Sequence, residues 1–274
     1  MKKIFAIIMT ICLMASALCV TTFAAESTDG FVITVSAEKE DGTVVKLEDY
    51  PSFEAGWNFA MEKAKDNNYL DNNDYVRIVV DLLTDWNANA EGEFGDSDGV
   101  GFRQSTIYVP DSARVMLNMN GHTIDRGLGD RNQFDGEVIY IDENADVIIN
   151  GGKNGDSIAR PDENTEAVFG TITGGFSSNG AGGIHIHDAN VELNDVHIVG
   201  NVADNDDGGG IALYDGAELI MTRGSFTNNS IDGIYDNMFS DYYGGAIYIE
   251  ESKAFFYSVE FKNNQNTNNT YHNT

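Results

Sequence analysis

Cysteine is nearly absent from this chain: two residues in 274, Cys12 and Cys19, both within the first twenty positions. Everything beyond them lacks disulfides and thiolate chemistry, so the fold must stand without covalent staples. Proline is almost as scarce, at three residues. That suits strands paired on both edges, whose N–H groups proline would remove. Basic residues are also few, 16 Lys+Arg against 44 Asp+Glu, for a net charge of −28. Phosphate recognition needs a basic face, so nucleic acid is excluded as a partner, and an anionic membrane surface is disfavoured. Long apolar runs are missing beyond the N-terminus. Hydrophobic residues nonetheless make up 42%, a globular rather than disordered composition.

The one long apolar run is N-terminal. Lys2 and Lys3 form a positive start, Ile4 to Val20 is apolar apart from Thr10 and Ser16, and Thr22-Phe23-Ala24 offers small residues for cleavage. Residues 1–25 therefore read as a secretory signal, too short for a spanning helix, and no transmembrane segment remains after its removal. The expected location is secreted or at the cell surface. Without Lys2 and Lys3 the chain carries 14 basic against 44 acidic residues, a net of −30.

Residues 26–74 read as an N-terminal hairpin and one capping α-helix. Phe31, Ile33 and Val35 alternate, Asp41-Gly42 is a two-residue turn signal, and Val44, Val45 and Leu47 return. After Pro51, Ser52 is suited to cap a helix, with Phe53, Trp57, Ala60, Met61 and Ala64 on one face. Asp66 to Asp74 reads as a polar stop. The apolar helix face must cover something, and the expectation is the exposed end of the remaining chain.

That remaining chain, 75–264, is expected to form a parallel β-helix, and from residue 104 it is repetitive. Residues 209–229 (GGIALYDGAELIMTRGSFTNN) and 244–264 (GGAIYIEESKAFFYSVEFKNN) align without gaps. A third copy starts at Gly182, and two degenerate ones at Ser105 and Glu137. Three alternating columns run through the copies. The first is Ile107/Val109, Ile139/Ile141, Ile184/Ile186, Ile211/Leu213 and Ile247/Ile249. The second is Val115/Leu117, Val147/Ile149, Val191/Leu193, Leu219/Met221 and Ala254/Phe256. The third is Ile124, Ile172, Ile198, Phe226 and Phe261. Strands this short cannot form stable hairpins alone. Stacked copies bury the apolar face, so the spacing predicts an all-β parallel solenoid with three short strands per copy. An antiparallel sandwich would need NG or DG turns, which are rare after residue 104.

Gly244-Gly245-Ala246-Ile247 with Phe261-Lys262-Asn263-Asn264 resembles the GGAI plus FxxN signature of the polymorphic outer-membrane-protein repeat, and Gly209-Gly210-Ile211 with Phe226-Thr227-Asn228-Asn229 is a second match. Gly182-Gly183-Ile184 with Ile198-Val199-Gly200-Asn201 departs at the aromatic position. LNMNGHTIDRG, residues 117–127, resembles the opening turn of right-handed parallel β-helix proteins of the pectate-lyase-like superfamily. The resemblance implies a right-handed parallel β-helix of a bacterial surface or secretion, with Asn201, Asn229 and Asn264 in an internal amide ladder. Its members include adhesins without chemistry and polysaccharide lyases, so fold does not decide function.

Candidate sites are few. A lyase would need a base beside a calcium-holding carboxylate cluster. Asp204, Asp206 and Asp207 with Asp215 form the acidic group calcium would suit, and Arg223 with Asp206 and Asp207 is the catalytic set such an enzyme would use. The motifs are incomplete: Asp206-Asp207 stands alone, and Gly121-His122 lacks its neighbours. His185 and His187 point outward from one strand, ~7 Å apart, as a two-histidine metal signal without a third ligand. The outward positions of the first column, Tyr108, Tyr140, His185, Ala212 and Tyr248, should line up as a flat aromatic stripe suited to sugar rings. Residues 265–274 are a polar Asn-rich tail with no cap: either the sequence is a piece of a longer protein cut there, or this end docks on a partner or self-associates with another copy. The expectation is a non-catalytic adhesin or glycan-binding protein whose partners are glycans or host and cell-surface proteins. The alternatives are a calcium-dependent pectate-type lyase and a structural surface spacer.

Overall fold

The structure, a computed structural model, describes residues 30, 32–88, 100–103, 106–127, 136–153, 167–178, 180–204, 206–232 and 242–267. The signal segment 1–25 and the last residues of the polar tail, 268–274, lie outside the described residues.

The chain opens with β1 (Ile33–Lys39) and β2 (Val44–Tyr50), paired antiparallel. Their turn holds three residues rather than two. The Gly42 N–H donates to the Lys39 carbonyl and the Lys39 N–H to that of Thr43, with Gly42 at φ 80. A type I turn closed by a left-handed glycine supplies that geometry, and Asp41 reinforces it by accepting from the Thr43 N–H. Helix α1 (Phe53–Ala64) comes next, capped by the Ser52 hydroxyl accepting from the Ala55 N–H. Its stripe of Phe53, Trp57, Ala60, Met61 and Ala64 is buried. The polar stretch after it is not only a stop: Asn67–Asn72 forms a short helix, α2, capped by Asp66, because Leu70 can bury itself from there.

Strand β3 (Tyr75–Leu82) changes the architecture. It pairs antiparallel with β1 on one edge and parallel with β7 (Arg114–Asn118) on the other. After the short β4 (Trp86–Asn87) and β5 (Phe102–Arg103), the copies begin. Their first strands are β6 (Thr106–Val109), β9 (Ile139–Ile141), β13 (Ile184–His187), β16 (Ile211–Tyr214) and β19 (Ile247–Ile249), which pair parallel in that order. Their second strands are β7, β10 (Asp146–Asn150), β14 (Asn190–Val199), β17 (Glu218–Thr227) and β20 (Lys253–Lys262), again parallel. The third columns of the early copies are β8 (Thr123–Asp125) and β11 (Gly170–Thr173), with β11 joining β8 to the far half of β14.

The protein is thus mostly β, with parallel sheets. The pairings set Ile107, Ile139, Ile184, Ile211 and Ile247 opposite one another, and likewise Val115, Val147, Val191, Leu219 and Ala254. The inward residues of the first four copies are buried in one core. Each large aliphatic side chain so buried contributes roughly 1.5–3 kcal/mol.

Two features depart from three separate strands per copy. In the last three copies the second and third strands run on as single ten-residue strands, each bent at a left-handed residue in the same register, Asp195, Arg223 and Ser258, at φ 57, 58 and 58, with Gly224 at φ 125 following Arg223. A fourth, two-residue strand is also present, pairing parallel as β12 (Phe176–Ser177), β15 (Val202–Ala203), β18 (Ser230–Ile231) and β21 (Gln265–Asn266).

Glycine sets how closely the copies approach. A Cβ at Gly209 would stand 2.4 Å from the Gly245 carbonyl oxygen and 2.5 Å from that of Ser230. Buried amides fill the corners between sheets. Asn201 donates to Asn229 (3.2 Å) and Asn229 to Asn264 (3.0 Å). Each amide also caps a backbone carbonyl of the preceding copy, Ile172, Ile198 and Phe226 respectively. A second series, not anticipated from sequence, runs Asn194 to Asn150 to Asn118 to Asp81 at 3.2, 3.0 and 2.9 Å.

The α1 stripe lies against the first copy. Phe53 packs on Trp86 and Phe102, the Trp57 indole donates to the Tyr108 carbonyl, and Asn58 accepts from the Gly101 N–H. Among the described residues, no helix is long and apolar enough to cross a membrane.

Candidate functional site

The outward positions of the first strands do line up: Tyr108 pairs with Tyr140, Tyr140 with His185, His185 with Ala212, and Ala212 with Tyr248. Their rings stack on one another along the sheet. Tyr108 and Tyr140 have centroids 5.8 Å apart, and Tyr140 and His185 4.6 Å apart. At Ala212, where no ring exists, Tyr214 takes over, 4.9 Å from His185 and 5.6 Å from Tyr248. Tyr214 was legible as a same-face residue two positions along the strand, since side chains alternate with period two.

This geometry alters what the stripe can do. Tyr140 and His185 have neighbours on both ring faces, so a sugar ring cannot lie flat on either. Tyr108 is only 4% exposed, and its hydroxyl donates to Asp142. A ligand beside this column meets ring edges and hydroxyl groups. His185 is pushed down to about 4, first by burial and then by the neighbouring His187 charge. Its Nδ1 is buried without a hydrogen-bond partner, with the Gly180 backbone packed close by.

Acidic groups flank the later part of the column. Burial, then Asp206 and Asp207, raises the Tyr214 hydroxyl pKa; burial, then Asp207 and Glu250, raises that of Tyr248. The Asp207 carboxyl is itself raised, chiefly by burial, although it accepts from the Tyr243 N–H. Asp206 accepts from the Asp207 N–H at 2.7 Å, and the Asp204 N–H donates to the Ser177 carbonyl at 2.6 Å.

The four aspartates proposed for calcium do not converge. Asp204, Asp206 and Asp207 precede β16, and Asp215 comes after it. Asp215 instead reaches the preceding copy, with Oδ2 2.8 Å from His187 Nε2. Arg223 likewise has a different partner from the one expected: its guanidinium forks the Asp195 carboxylate at 2.5 and 2.6 Å. That hydrogen bonding raises the Arg223 pKa further, which opposes a role as proton abstractor.

The register brings a different cluster together. Asp142 and Glu143 succeed β9, His187 ends β13, and the two strands pair with Ile141 opposite Ile186. His187 Nδ1 then lies 3.6 Å from Glu143 Oε1 and 3.9 Å from Asp142 Oδ1. Among the described residues, these three side chains form the group with the donor atoms and spacing to hold a metal ion. Sequence reasoning noticed His187 but not its carboxylates, which come from another copy and meet it only through strand pairing.

Comparison of the chain with protein-family models, curated proteins and solved structures finds no match.

Proposed function

We propose that this is an exported bacterial protein with a right-handed parallel β-helix fold, secreted or held at the cell surface, that works by binding rather than by catalysis, as an adhesin or glycan-binding protein. One observation supports it most. The large apolar side chains left exposed among the described residues gather on the last copy: Tyr243, Ile249, Phe255, Tyr257 and Phe261, between 42 and 56% exposed. Of these, Phe261 lines a recess of about 360 Å³, together with Lys262, Asn263, Asn264, Gln265 and Asn266. Aromatic surface beside a dense set of amide donors and acceptors suits a sugar, which offers C–H faces and hydroxyl groups together. Phe255 and Tyr257 project from the outward face of β20, opposite Ile220 and Thr222 of β17, and exposed aromatic surface there on an otherwise acidic chain suits a contact site.

In this reading the stacked rings of Tyr108, Tyr140 and His185 stiffen the sheet, and Tyr248 carries the column toward the contact surface.

A glycan array probed with the full chain and with Tyr243→Ala, Tyr257→Ala and Tyr248→Ala tests the proposal. Loss of a glycan signal in these variants, with Tyr108→Ala and Tyr140→Ala retaining it, is the expected result. Chelator-sensitive release of unsaturated uronides from pectin or alginate would replace the reading with the calcium-dependent lyase. Neither binding nor turnover would leave a structural spacer.

A further inference from the structure

We propose that Asp142, Glu143 and His187 bind a divalent transition-metal ion of the zinc class, with Asp215 and Tyr108 holding the ligands in position. The argument begins with the histidine. Its Nε2 is 2.8 Å from the Asp215 carboxylate, an acceptor, so Nε2 carries the ring proton. In the neutral ring Nδ1 is then a lone pair. It is buried, has no hydrogen-bond partner, and is aimed at Glu143 Oε1 (3.6 Å) and Asp142 Oδ1 (3.9 Å). Three acceptor atoms thus face one another.

The distances fit a metal better than a proton. Both exceed the ~3.2 Å limit of an N–H···O hydrogen bond. They lie within a few tenths of an ångström of the ligand–ligand edge of a tetrahedral zinc site, roughly 3.3–3.5 Å for bonds of about 2.0–2.2 Å. All three donor atoms lie within 4.8 Å of one another. A nitrogen donor selects zinc-like ions over calcium and magnesium, which take oxygen.

The supporting contacts are those a metal site requires. Asp215 orients His187 through the far ring nitrogen, the arrangement that fixes a ligating imidazole. Asp142 accepts from the Tyr108 hydroxyl on Oδ2 and from the Glu143 N–H at 3.0 Å on Oδ1, which limits its rotation. The ligands come from two adjacent copies and their supports from the copies on either side. A bound ion would therefore clip four copies together. Three protein ligands leave a fourth position for water or a partner's donor atom. This inference does not rest on the binding function proposed above.

Titration of the full chain, dialysed against chelator, with Zn²⁺ by calorimetry and with Co²⁺ by visible spectroscopy tests it. One saturable equivalent, visible bands of four-coordinate Co²⁺ and a zinc-dependent rise in Tm are expected. His187→Ala should abolish that equivalent. Asp215→Asn and Glu143→Gln, both at half-exposed or exposed positions, should weaken it by about 10–100-fold while circular dichroism stays unchanged. Absence of a saturable equivalent, or binding that survives His187→Ala, would overturn the site and assign any uptake to the diffuse acidic surface.

Discussion

Arg223 and Asp195 occupy the same corner of adjacent copies, both with left-handed backbone, and are joined by a two-pronged ion pair of 2.5 and 2.6 Å. The Asp195 side chain is almost wholly buried, whereas that of Arg223 is partly exposed. Removing the cation strands a buried carboxylate. Arg223→Met should destabilise the protein by about 3 kcal/mol. The double variant Asp195→Gly/Arg223→Gly should recover much of that loss, because it removes the buried charge and suits the left-handed backbone. Urea denaturation of the three proteins checks the order.

A second prediction concerns acid. His185 has a folded-state pKa of about 4 against an ordinary 6.5. The unfolded chain therefore binds this proton first. Stability is fully present above pH 6.5 and falls as pH drops from 6.5 towards 4. The loss should be on the order of 2–3 kcal/mol. His185→Phe keeps a ring between Tyr140 and Tyr214 and removes the proton. The Tm of the parent should fall relative to that of His185→Phe as pH is lowered across that window, which thermal melts at half-unit pH steps will measure.

The amide ladder should respond by position. Asn229 is fully buried, donates to Asn264 and the Ile198 carbonyl, and accepts from the side chain and backbone of Asn201. Asn229→Ala leaves several buried groups unpaired and should lower stability by about 3 kcal/mol or more. Asn264→Ala, in the half-buried last copy, should lower it by less in the same chemical-denaturation assay.

The paired glycines should separate cleanly. A Cβ at Gly209 meets backbone on two sides, whereas one at Gly210 meets the Ala246 carbonyl oxygen at 2.5 Å and otherwise the side chains of Phe226 and Asn229, at 3.0 and 3.3 Å. Gly209→Ala should cost about 1–3 kcal/mol, and Gly210→Ala distinctly less. Parallel thermal melts will rank them.

Much of the strand pairing could be read in advance because alternation is a local signal. Ile184 and Ile186, or Ile211 and Leu213, declare their buried face within four residues; the shared glycines mislead by one position at the last copy, where Ile211 pairs with Ile247 although the gap-free alignment matches it to Ala246. The continuity of β14, β17 and β20 could not be read. Their bends fall on Asp195, Arg223 and Ser258, three unlike residues that carry no common turn signature. The fourth strand was hidden for a related reason: two residues are too few to show a period. Asp215 was grouped with Asp204, Asp206 and Asp207 by proximity in sequence, but a four-residue strand separates them and directs Asp215 to His187. The aromatic column was visible as a set of residues. That its rings would occupy one another's faces depends on strand spacing, which composition cannot supply.

Strand β3 has one antiparallel and one parallel neighbour. The β1–β2 hairpin closes over a three-residue turn, but β3 meets β1 across a longer stretch, Ile33 to Leu82, than separates Ile184 from its partner Ile211. Short loops close faster and at lower entropic cost than long ones. Loop length thus favours the β1–β2 hairpin alone, and β3 is the junction in its sheet between that hairpin and the parallel strands β7, β10, β14, β17 and β20. Damage to β3 should therefore unsettle the antiparallel unit and the parallel strands together rather than either one alone.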